Sequence, residues 1–311
     1  MDRRRTLAAL LIGLAGLGAR APDPLPITDA LWTVPERRLA ALTQAPAECL
    51  TLPADREERA LVALGRTVFQ SPLLLGGQAA RSGLSCAACH RNGRGNPDFH
   101  FPGLSKAPGT ADVTSSLMSR VRGDGRFNPA VIPDLAFDTP KIARSRTDPA
   151  MRQFIRGLIV EEFDGREPPP RVLDGLTAYV LALDRAACDG KAEQRVTAAV
   201  HIGELVLELG VVRQSLADNE PQSARLAMTA VRHRLGQLAA RFQTVERDFQ
   251  RLVELDKELA EVMADPASDQ SGRISALDRW SGQLGRTIPR LIADEPRSLY
   301  DPERLSEHLT P

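Results

Sequence analysis

Cys86-Ala87-Ala88-Cys89-His90 places two thiols three residues apart, with an imidazole immediately after the second. That order and spacing is the attachment signature of a c-type haem. The thiols bond to the two vinyl groups of one porphyrin, and the next residue becomes the proximal ligand of the iron. Two other chemistries use related residues. A thioredoxin-like redox pair shares Cys-x-x-Cys but follows a strand in βαβ surroundings, and Gly76-Gly77-Gln78-Ala79-Ala80-Arg81-Ser82-Gly83 has no strand pattern. A zinc site needs a second Cys/His pair at ligand spacing, and the chain has none. The expectation is one covalent haem c on Cys86 and Cys89, with His90 on the iron.

The group on the other side of the iron decides the chemistry. Methionine opposite histidine raises the reduction potential and suits electron transfer, whereas an open position permits peroxide chemistry. Met151 follows Asp148-Pro149 at a loop-to-helix junction downstream of the motif, the usual place of such a methionine. It also fits a core position on the helix that follows. Met118 and His100 are the alternatives, and His100 also reads as a distal hydrogen-bonding group or a surface histidine. Phe69, Phe99 and Phe101 are expected to cover the porphyrin faces. Arg91 and Arg94 suit haem propionates or solvent. The arginines of 120–126 and 144–146 suit either a docking face for an acidic redox partner or plain loop surface. Glu161 and Glu162 are the only acid/base leads near a helix of this segment. His201 reads as structural, and His233 and His308 as solvated.

These residues need elements to hold them. The 311-residue chain has 4% aromatics and no net charge, so no nucleic-acid or anionic-lipid partner is indicated. Arg3-Arg4-Arg5, the apolar run Leu7–Leu17 and Ala19-Arg20-Ala21 read as an export signal over 1–21. Membrane anchoring would require that the signal stay uncleaved. Residues 22–54 read as an irregular Pro-rich arm. Residues 55–189 form the expected haem domain, with helices over 55–70, 151–163 and 172–183 and loop between. Cys49 and Cys188 flank it. In an oxidising compartment they are expected to pair, with two free buried thiols as the other possibility. Residues 190–311 read as an antiparallel helical bundle. Its first helix covers about 192–217, with Val196, Val200, Gly203, Leu207, Gly210 and Val211 on one face. The stripe over 224–263 fits one long helix or a hairpin. A last stripe runs from Ile274 to Leu291. The fold class is mainly α, a c-type cytochrome domain followed by a bundle.

Ala63-Leu64-Gly65-Arg66-Thr67-Val68-Phe69-Gln70-Ser71-Pro72 resembles the helix end before Cys-x-x-Cys-His in bacterial dihaem cytochrome c peroxidases and their MauG-like relatives. Ser85 before the motif fits as well. Phe127-Asn128-Pro129-Ala130-Val131-Ile132-Pro133-Asp134-Leu135 resembles the Phe-Asn-x-Pro-x-Ile-Pro-Ser-Leu segment of that group. The helices ending at Phe163 and around Tyr179 resemble the closing helices of its haem domain. The resemblance covers about 55–187 and not the bundle. That family has two Cys-x-x-Cys-His sites, and this chain has one. Many members also carry Pro-Tyr-x-His-Asp/Asn-Gly, where this chain has Pro140-Lys141-Ile142-Ala143-Arg144-Ser145-Arg146-Thr147.

Three functions follow as expectations. The first is an exported, periplasmic mono-haem electron carrier served by a redox partner protein. The second is a cytochrome c peroxidase-like enzyme that draws electrons from a separate donor. In the third, the bundle is the working part and the haem is vestigial.

Overall fold

The computed structural model describes residues 25–137, 142, 144–145, 148–188, 193–264 and 269–310. The expected signal over 1–21 lies outside them, as do the Gly190 junction and the Asp265-Pro266 helix stop. The described chain is mainly helical. Helices α1 (Arg38–Thr43), α2 (Arg56–Phe69), α3 (Gly77–Arg81), α4 (Cys86–Cys89), α5 (Ala150–Gly157) and α6 (Pro170–Ala182) come first. Helices α7 (Ala198–Ala217), α8 (Pro221–Phe242), α9 (Glu246–Ala264), α10 (Gln270–Asp294) and α11 (Pro302–Leu309) follow. Short strands β1 (Gln44–Pro46) and β4 (Glu193–Arg195) pair antiparallel, as do β2 (Thr110–Ala111) and β3 (Ala130–Val131).

Helix α2 starts where Asp55 accepts a 2.8 Å hydrogen bond from the Glu58 amide, with Glu57 and Glu58 in the positive first turn. It buries Val62, Leu64, Val68 and Phe69 against α6. The crossing is backbone on backbone: a Cβ on Gly65 would overlap the carbonyl oxygen of Gly175. Helix α6 begins with Pro170 as its first residue, where a missing N–H leaves no bond unmade. Between them, α5 continues into a π-helical turn over Leu158–Glu162, and Asp164 ends it at φ 52°. One core joins these helices, with Met118, Met151, Phe69, Phe99 and Phe101 inside it.

Cys49 and Cys188 form a disulfide with a Cα–Cα distance of 4.6 Å. The chain beside it is paired as well. Asp184 N donates to Cys49 O at 2.8 Å, and Thr51 N donates to Ala182 O at 2.9 Å.

Helices α7 to α10 each pack on the next, and α10 returns to α7, making a four-helix bundle with its own core around Leu205, Val231, Leu255 and Trp280. The stripe over 224–263 is a hairpin, broken at Gln243–Val245. Three expectations need correction. The 22–54 arm is not irregular: it holds α1 and β1, and Leu42 packs with Leu299 and Leu305 in a small third core. Residues 193–195 are strand, so the first bundle helix starts later, at Ala198 under the Thr197 cap. Its buried face is Ala198, Ile202, Leu205, Leu209 and Val212, while Leu207 is exposed. This helix is apolar on most sides, so the spacing of its apolar residues does not select one face.

Three outcomes are expected in denaturant unfolding. Gly65→Ala should cost about 1–3 kcal/mol by forcing the α2–α6 crossing apart. Gly203→Ala, on an exposed face with open space around it, should instead gain about 0.5–1 kcal/mol. Cys49→Ala with Cys188→Ala should cost about 2–4 kcal/mol relative to the oxidised protein.

Candidate cofactor-attachment site

Cys86 to Cys89 form a single helical turn, closed by the His90 amide donating to Cys86 O at 2.8 Å. The chain then reverses through Asn92 (φ 51°) and Gly93 (φ 70°). A side chain at Gly93 would run into Leu183. Asn96, itself buried, donates to Ala88 O at 2.8 Å and Asn92 to Pro46 O at 2.8 Å, so both sides of the turn are tied down.

The His90 Nδ1–H donates to Pro133 O at 3.1 Å. That bond fixes the ring and leaves Nε2 as the nitrogen that could hold a metal. Burial pulls the imidazole down to about 4, against the Pro133 bond and the Asp134 charge. His90 is therefore neutral at pH 7, the form that binds metals. Cys86 and Cys89 are unbridged, and burial pushes both thiols up to about 12.

Pro133 is held in turn by its neighbour. Asp134 accepts from Arg94 Nε at 2.6 Å and from the amides of Ala136 and Phe137 at 3.0 and 3.2 Å. The Arg94 guanidinium lies 4.2 Å over the Phe137 ring, and its Nη1 is 3.3 Å from Cys49 Sγ. A chain of direct contacts thus runs from the disulfide through Arg94 and Asp134 to the carbonyl that orients His90.

The Phe69 ring centroid is 6.4 Å from that of His90 and 5.2 Å from that of Tyr179. Phe101 stacks on Trp32 with centroids 4.1 Å apart, and Phe99 is fully buried. Met118 and Met151 are buried in the same core, Met118 in a turn and Met151 near the start of α5. His100 Nδ1 is buried and meets no hydrogen-bonding group of the protein. Among the described residues no cluster of three or more His, Cys, Asp or Glu could hold a bare metal ion. Two free thiols, a neutral imidazole with one nitrogen spoken for, and an apolar surround fit a covalently attached haem.

Several residues stand elsewhere than expected. Arg91 donates to Ala41 O at 2.8 Å, and Arg94 is committed as described, so both are held by protein acceptors. Arg144 bonds the carbonyls of Leu135, Val180 and Leu183. Arg146 lies outside the described residues. Arg120 pairs with Asp164, and Arg122 with Glu161. Glu162 is buried. His233 lines a cleft against the Cys86–Cys89 turn, not open solvent. One cluster had no sequence signal. Arg66 bonds Glu48 at 2.8 Å and Glu204 at 2.6 Å, while the Tyr179 hydroxyl donates to Glu48 at 2.8 Å. It joins the arm, α2, α6 and α7.

Arg94→Leu should destabilise the fold by about 1–3 kcal/mol in urea unfolding, because Asp134 loses its charged donor while staying largely buried. Arg94→Lys should recover part of that loss.

No family model matches the chain, and no curated protein or solved structure matches it either.

Proposed function

We propose that the chain is an exported mono-haem c-type cytochrome that transfers electrons, a single-haem relative of the dihaem cytochrome c peroxidase and MauG-like group. The observation that carries the reading is the 3.1 Å bond from His90 Nδ1 to Pro133 O beside two unbridged thiols. A covalently bound haem c supplies one-electron exchange.

The protein's own contribution is to hold and shield. Cys86 and Cys89 would anchor the group through thioether bonds. Pro133 orients His90 and increases its basicity as a ligand. Arg94 and Asp134 keep Pro133 in place. Phe69, Phe99 and Phe101 belong to the apolar core that would exclude water from the group. Met151 would be the second protein ligand of the iron, with Met118 and His100 as the alternatives. A disulfide between Cys49 and Cys188 suits an oxidising compartment and so supports export to the periplasm. The natural partner of such a carrier is another redox protein.

The test is an optical spectrum of the purified, exported chain, ferric and ferrous, before and after peroxide. The expected result is a low-spin ferric spectrum with a weak near-infrared iron–methionine band, unchanged by peroxide. Met151→Ala should abolish that band, and Met118→Ala should leave it. The opposite pattern moves the ligand to Met118. A high-spin spectrum that changes with peroxide would overturn the carrier reading in favour of a peroxidase. Protein without covalent haem would overturn both.

A further inference from the structure

The outer face of the Cys86–Cys89 turn does not meet the bundle directly. Between Ala87, Ala88, the 28–33 segment and helices α7 and α8 lies a cavity of about 130 Å³. That is close to the ~150 Å³ that houses a benzene-sized guest. Its lining is polar and ionised. Arg91, Arg234 and Arg241 face it, with Asp29, Glu204 and His201.

The polar groups here are not all satisfied by one another. Both carboxylate oxygens of Asp29 are buried and receive no hydrogen bond. The nearest cation, Arg241 Nε, is 3.6 Å away and itself makes no hydrogen bond. The Arg241 side chain is fully buried, with Nη1 on Leu299 O at 2.8 Å and Nη2 on Leu42 O. Arg234 is 9% exposed, bonds Glu208 at 3.1 Å and Gln237 at 2.9 Å, and leaves its Nε without an acceptor. His201 gives Nδ1 to the Tyr300 hydroxyl at 2.7 Å, which leaves Nε2 for the cavity. Buried polar groups without partners are uncommon, and several around one cavity ask for a common explanation.

The unfilled valences specify a guest. Glu204 is taken up by Arg66, whose two terminal nitrogens bond it at 2.6 and 2.8 Å. What remains is one carboxylate that needs a donor, and guanidinium groups with donors to spare. A negatively charged guest satisfies the arginines. A donor on that same guest satisfies Asp29. From the cavity and these orphaned groups we infer a binding site for a small carboxylate that carries an amino or hydroxyl group on the adjacent carbon. The cavity volume limits the guest to about the size of lactate or a small amino acid. This inference does not depend on the haem reading, because the site is built from the bundle, the arm and the backs of Ala87 and Ala88.

Isothermal titration of the full chain with L-lactate, glycine and acetate tests it, alongside thermal unfolding in the same solutions. Saturable binding of lactate or glycine is expected, with a matching rise in Tm. Acetate, which has the charge but no donor, should bind about tenfold more weakly or worse. Asp29→Asn removes the anionic acceptor at nearly constant shape. It should lose the preference for lactate or glycine over acetate, each probe's effect being read against the variant's own unliganded Tm. No saturable binding of either probe up to about 10 mM would overturn the proposal. So would equal binding of all three, or a preference that survives in Asp29→Asn, since either marks an unspecific anion effect.

Discussion

The contact between Gly65 and Gly175 sets the geometry from which the rest of the site is built. Helices α2 and α6 touch through their backbones, and no side chain can intervene. The register of α2 is thereby fixed to within a fraction of a residue. One residue on, Arg66 points away from α6's axis of contact and bonds Glu48 and Glu204. One turn on, Phe69 packs on Tyr179 and lies beside His90. A single helix turn thus locates the aromatic neighbour of His90 and the ion-pair anchor of the bundle.

Local placement was legible where it is written in contiguous residues. The two thiols and the imidazole of 86–90 lie together on and just after one helical turn. The two remaining cysteines could pair only with each other once 86 and 89 were set aside, and they do. The hairpin in 224–263 was legible as one of two forms, because Gln243-Thr244-Val245 contains neither Gly nor Pro to mark the break. The α7 face was misread because Val206, Leu207, Leu209 and Val211 offer apolar residues in nearly every direction.

What stayed hidden depends on contacts far apart in the chain. Arg94 looks like any loop arginine until Asp134, forty residues on, and the Cys49 sulfur arrive beside it. The β1–β4 pairing joins residues about 150 apart over only three pairs, too short to leave an alternating pattern. Burial pushes Glu208 up to about 7 despite Arg234, while Glu204, one turn earlier on the same helix, is held below its ordinary value by Arg66. Nothing in local composition distinguishes such a group.

The Cys49–Cys188 bond closes a ring of chain around α2, the attachment turn, the long loops and α6. Topologically, the arm and the bundle are fastened to each other directly, and the segment between them is a closed loop hung from that fastening. A single cut anywhere in the exposed loops of that segment therefore releases no fragment. The pieces stay one covalent molecule, joined through Cys49 and Cys188. The loops between the Cys86–Cys89 turn and α6 can thus be cut without parting that turn from α6.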